Sequence, residues 1–136
     1  MNIFLILIVI FLIILLLFFQ IIEENKIIKY FEQNEVDLEY QMEIIRQYEL
    51  TLINFNWLPS YRGNYRGLFL ENIFYLKYYP EQIVLSYKSS EIILKKSDIH
   101  IINDMFSGKL LKIKIANNTL RFKLPDDSQL FIYKNL

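Results

Sequence analysis

The sequence predicts a membrane-anchored α+β protein. It comprises one N-terminal transmembrane helix, a helical stalk, and a small antiparallel β barrel or sandwich of about seven strands with a short C-terminal helix. Three observations predict this. Residues 1–22 carry no charged side chain. Residues 23–56 are acidic and apolar at helical spacing. From Gly67 onward, short β-rich runs alternate with turn residues. A length of 136 residues holds one small domain beside such an anchor.

The anchor comes first. Ile3 to Phe19 is an unbroken run of Ile, Phe, Leu and Val, extended by Gln20-Ile21-Ile22. As a helix, this stretch rises about 30 Å, the thickness of a bilayer's hydrocarbon core. A helix in a soluble core would show a polar stripe, and this one has none. A cleaved signal peptide has a basic segment before its apolar run and small residues after it. Here nothing basic precedes Ile3, and Glu23-Glu24-Asn25 follows Ile22, so a retained signal anchor is expected. The span has no Gly, Ala, Ser or Thr to bring helices close in lipid, and no ionisable group to mark an ion path. It therefore reads as a tether. Lys26 and Lys29 follow it closely, which by the positive-inside rule places the C-terminal domain in the cytoplasm, at the plasma (inner) membrane.

The stalk is next. Fifteen basic and fifteen acidic side chains give the whole chain a net charge of zero, but they are not evenly spread. Residues 23–50 hold eight acids and three bases, a net of −5, and the remaining residues balance this with +5. In the acidic segment Ile28, Phe31, Leu38, Met42, Ile45 and Leu52 fall at spacings that fit a heptad seam, with Glu35 and Glu49 at two further positions. The seam suggests a stalk over residues 23–56 that oligomerises the protein. The alternative is an amphipathic helix packed on its own domain. A strand pattern is also present, because Leu38, Tyr40, Met42 and Ile44 alternate with polar residues.

Residues 57–66 read as a loop. Tyr61-Arg62-Gly63-Asn64-Tyr65-Arg66-Gly67 repeats a Tyr-Arg-Gly triplet and holds two of the three glycines. Arginines interleaved with aromatics are a weak signal for phosphate or single-stranded nucleic acid, and a structured turn is the simpler reading. Residues 67–136 then form the β domain. Its expected strands are Leu68-Phe69-Leu70, Ile73–Tyr79, Gln82–Tyr87, Glu91–Lys95, Asp98–Ile102, Lys109–Ala116 and Thr119–Leu124. The last two form a hairpin turning at Asn117-Asn118, since Asn tolerates the positive φ of a type I′ turn. Pro125-Asp126-Asp127 ends the last strand and caps a short helix reaching Tyr133.

Seven short strands closed by one helix resemble the pleckstrin-homology-like superfold, in texture its bacterial PH and GRAM-type members. The resemblance covers Gly67 to Leu136. It is carried by "YLKYYPEQIVLSY", by "ILKKSDIHII" with its Asp98-Ile99 pair, and by "KLLKIKIANNTLRFKLPDD". It implies a partly open barrel that binds lipids or proteins without catalysis.

The hairpin carries the candidate site. A turn at Asn117-Asn118 sets Lys114 opposite Arg121 and Lys112 opposite Lys123, with Leu111, Ile113, Ile115, Leu120, Phe122 and Leu124 on the other face. Like charges directly opposite destabilise a sheet, so solvent, an acidic partner or anionic lipid must offset this four-charge face. Lys95, Lys96 and Lys109 are possible additions. No catalytic residues, cofactor or metal site are expected. Cysteine is absent, and His100, the one histidine, has only Asp98 and Asp104 near it in sequence. No phosphate loop or nucleophile elbow occurs. The zero net charge argues against nucleic acid as a partner. The expected partners are the membrane through residues 3–22, an anionic lipid surface or a protein, and another copy through the stalk. The expected function is a non-enzymatic binding or assembly module at the membrane surface. The alternative is a structural or inhibitory subunit facing the non-cytoplasmic side.

Overall fold

The computed structural model describes residues 2–36, 43–55, 65, 67–80, 82–104 and 108–124. Among these are one helix, α1 (Ile3–Gln33), and the strands β1 (Arg46–Phe55), β2 (Ile73–Tyr78), β3 (Ile83–Tyr87), β4 (Ser90–Leu94), β5 (Ile99–Asp104), β6 (Gly108–Ile115) and β7 (Asn118–Lys123). A 3-10 turn, Lys96–Asp98, leads into β5.

Asn2 caps α1, its side-chain oxygen accepting from the Phe4 N–H at 3.0 Å. Every residue from Ile3 to Phe19 is exposed. With a mean hydropathy of 3.5 over its most apolar window, α1 is long and apolar enough to cross a membrane. One apolar N-terminal helix followed by a β domain is the form of a single-pass membrane protein. The helix does not stop where the apolar run stops. Glu24, Ile27 and Phe31 lie on one face by their spacing of three and four, and all three are buried. Ile28 and Tyr30 pack beside them, half-buried. Asn34 ends the helix, its backbone N–H and its Nδ2 both donating to the Tyr30 carbonyl at 3.0 Å.

The helical stalk over 23–56 is therefore corrected. The helix ends at Gln33, and Arg46–Phe55 form a strand. Of the seam residues, Ile28 and Phe31 face the chain's own domain. Ile45 is exposed just before β1, and Leu52 is buried within the sheet. Leu38 and Met42 lie outside the described residues. The reason is periodicity. Tyr48, Leu50 and Leu52 alternate with Gln47, Glu49 and Thr51, and a strand buries all three apolar residues on one face. A helix built on the seam would have turned Leu50 away from it.

The seven strands form one curled antiparallel sheet in the order β4-β3-β2-β1-β7-β6-β5. β1 pairs with both β2 and β7, joining the meanders β1–β4 and β5–β7 along a single strand. The inner face carries Leu50, Leu52, Phe55, Leu76, Leu85, Leu111, Ile113 and Leu120, all buried. Helix α1 closes this core. The Phe31 ring lies 5.9 Å from Phe74 and 5.6 Å from Tyr87. Phe74 in turn stacks on Tyr87 at 4.8 Å and meets Phe122 edge-on at 5.0 Å. Each fully buried side chain of this size contributes about 1.5–3 kcal/mol.

Leu68-Phe69-Leu70, expected as the first strand, is instead non-strand backbone leading to β2. The other six expected strands match β2 to β7 to within two residues at each end. The expected C-terminal helix and nearly all of the loop 57–66 lie outside the described residues.

Candidate functional site

Two groups of polar side chains stand out, one beside α1 and one on the outer face of the β6–β7 hairpin. The first is organised by Glu24. This residue follows the apolar span by two positions, yet it is 0% exposed. Its Oε1 accepts from the Tyr65 hydroxyl at 3.1 Å, the Leu68 N–H at 3.0 Å and the Leu70 N–H at 3.3 Å. Its Oε2 accepts from the Leu68 N–H at 3.1 Å. The Tyr65 hydroxyl accepts from Gln20 Nε2 at 3.2 Å. Charge-assisted bonds of this kind offset the cost of removing a carboxylate from water.

The loop reaches the carboxylate because Gly67 has no side chain. A Cβ there would stand 1.7 Å from Glu24 Oε1 and 2.8 Å from the Leu70 carbonyl oxygen. The sheet fixes the other end of the contact. β1 bulges between Leu52 and Asn54. There the Leu52 carbonyl accepts from the Tyr65 N–H at 2.8 Å, and the Leu52 N–H donates to the Asn72 carbonyl at 2.7 Å. Burial, followed by the nearby Glu24 charge, pushes the Tyr65 phenol well above its ordinary range. This arrangement is a latch between helix and sheet. Beside it lies an open depression of about 520 Å³ bordered by Leu68, Phe69 and Asn72.

Sequence reasoning missed the latch, counting Glu24 among the stalk acids. A signal was present. Glu24 shares its helical face with Ile27, Ile28 and Phe31, an apolar face in which a lone carboxylate needs partners.

The second group is the basic hairpin face. The turn is Ala116-Asn117, with φ of 49° and 64°, not Asn117-Asn118. Asn118 is buried, pairs with Ile115, and donates from Nδ2 to the Ala116 carbonyl at 3.2 Å. The pairings are corrected accordingly: Lys112 lies opposite Arg121, Lys114 opposite Thr119, and Lys123 opposite Leu110. The four basic residues still share one face, because moving the turn by one residue changes each pairing partner by two and keeps the alternation. Lys114 and Lys123 are exposed, while Lys112 and Arg121 are half-buried.

The register extends this face into a row. Arg121 lies opposite Asn54 on β1, and Lys112 lies opposite His100 on β5. Asn54, Arg121, Lys112 and His100 thus cross four adjacent strands without an acidic residue among them. Lys109 alternates to the opposite face, and Lys95 and Lys96 flank the 3-10 turn, exposed. Asp98 ends that turn, while His100 is exposed on β5. Among the described residues no three His, Asp or Glu side chains gather as metal ligands.

No protein-family model, curated protein or solved structure matches this chain at a significant level.

Proposed function

We propose that the chain is a non-enzymatic single-pass membrane protein that holds a PH-like binding module against the anionic cytoplasmic face of the plasma membrane. The strand order supports the PH-like reading. Its meanders close through β1 and β7 and stay open between β4 and β5, as a partly open barrel requires. The observation that carries the binding reading is the position of the basic row. Asn54 begins it on β1, two residues from Leu52, whose carbonyl holds Tyr65 in the latch at the foot of the span. The row therefore starts at the end of β1 nearest the bilayer. Near an anionic leaflet each Lys or Arg adds about 1 kcal/mol, which offsets the repulsion between Lys112 and Arg121.

The test uses the full chain in lipid nanodiscs, one set neutral and one rich in phosphatidylserine. Amide exchange in β6 and β7 should slow in the anionic discs. Changing Lys112, Lys114, Arg121 and Lys123 to Glu should remove the difference. Equal exchange in both lipids would leave the hairpin face simply solvated. A reporter fused after Leu136 that is active only outside the cytoplasm would overturn the lipid reading and favour a subunit facing the other compartment.

A further inference from the structure

Resting on the single-pass reading, we infer that Leu68 and Phe69 form a second membrane contact, inserting into the interfacial zone of the same bilayer that α1 crosses. Both are large apolar residues in the latch loop, 49% and 56% exposed. Isolated exposed apolar residues are ordinary on protein surfaces, so the argument depends on where these two lie.

Their height is fixed by the latch. The Leu68 N–H bonds Glu24, and Tyr65 in the same loop bonds both Glu24 and Gln20. Side chains on a helix lean toward its N-terminus, which here means toward the span. Glu24 lies about 3 Å along the axis beyond Ile22, the last residue of the apolar run. The interfacial zone extends about 5–7 Å beyond the hydrocarbon core on each side. A loop held on the Gln20 and Glu24 side chains therefore falls within that zone. At this height on α1, Ile22 is itself 52% exposed. The polar edge follows immediately: exposed Glu71 lies 3.7 Å from exposed Lys88. Phe and Leu side chains are stabilised at the headgroup–acyl boundary in proportion to the apolar area they bury. Two contacts, α1 and the loop, would fix the domain's rotation about the helix axis as well as its height.

The chain contains no cysteine, so single-cysteine labelling is clean. Three full-length variants, Leu12→Cys, Phe69→Cys and Gln47→Cys, are labelled with an environment-sensitive fluorophore. They are then reconstituted in vesicles carrying quenchers either deep among the acyl chains or at headgroup level. Gln47 serves as the water-facing reference, being exposed and paired with Lys77 at the far end of β2. The Leu12 label should respond to the deep quencher. The Phe69 label should show blue-shifted emission and respond to the headgroup-level quencher, and the Gln47 label should respond to neither. A Phe69 label indistinguishable from Gln47, with Leu12 still quenched, would overturn the loop insertion and leave the span intact. An unquenched Leu12 label would overturn the span and the insertion together. As a check on folding, Phe69→Ser should melt in detergent like the unaltered chain. A large drop in melting temperature would assign Phe69 to packing instead.

Discussion

Glu24 brings a charge to the place where helix, loop and sheet meet, and the fold meets its demands with main-chain donors. The tightness of that fit gives the first prediction. Gly67→Ala places a methyl group inside the carboxylate's contact distance, so the loop must retreat. The bonds from Leu68 and Leu70 are then lost around a group that stays buried, at a cost of about 1–3 kcal/mol. Urea unfolding of the detergent-solubilised chain should show that loss, and an unchanged midpoint would mean the loop is not held as described. A pH dependence follows at the same site. The fold favours the neutral Tyr65 phenol, raising it above the ordinary value of 10.0. Above that value the unfolded chain has released its proton while the folded chain keeps it. The contribution of Tyr65 is thus complete below about pH 10 and declines as pH rises toward the folded value. Tyr65→Phe should flatten the alkaline fall in stability by up to about one proton. Some slope should persist, because burial raises Tyr78 in the same direction, with Tyr48 beside it adding to the effect.

At the scale of elements, the apolar helix was legible from the length of its uncharged run and the strands from β2 onward as short β-rich runs between turn residues, and neither required a choice between periodicities. β1 was not, because its residues satisfy two. Ile45 and Leu52 fit a heptad spacing, while Tyr48, Leu50 and Leu52 fit a strand, and only the sheet's need for a central strand decides between them. The hairpin face was legible and its pairing was not. Both possible turns bury Leu111, Ile113, Ile115, Leu120 and Phe122, so the apolar pattern cannot separate them. What separates them is Asn118, which gives up the turn to pair with Ile115 and bond the Ala116 carbonyl. The two registers make opposite predictions for Ala116→Gly. With Ala116 in the turn at a φ of 49°, glycine relieves a left-handed strain and should raise stability by about 0.5–1 kcal/mol. Were Ala116 a strand residue, the same change would lower stability by a similar amount. The direction of the thermal shift identifies the turn.

At the scale of the whole molecule, the boundary between anchor and domain does not fall where the apolar run ends. The latch and the core both draw on α1, so its last third belongs to the β domain as fully as any strand does. Composition hides this, since the charges that begin at Glu23 mark a change of solvent and not a change of folding unit. The consequence is testable by truncation. A fragment starting at Asn34 keeps every strand but loses Ile27 and Phe31 from the core and Glu24 from the latch. Two buried apolar side chains at about 1.5–3 kcal/mol each, and orphaned donors at about 1–3 kcal/mol, sum to about 4–9 kcal/mol. A small domain has only about 5–15 kcal/mol in total. That fragment should bind a hydrophobic dye and melt without cooperativity. A fragment starting at Gln20 retains both contacts, including the Gln20 bond to Tyr65, and should melt in one cooperative transition. Equal, cooperative melting of the two would return α1 to the role of a simple tether. Cooperative melting of the longer fragment alone would mean that the domain is folded only when it carries the foot of its own membrane helix, so that its height above the bilayer is set by the fold itself.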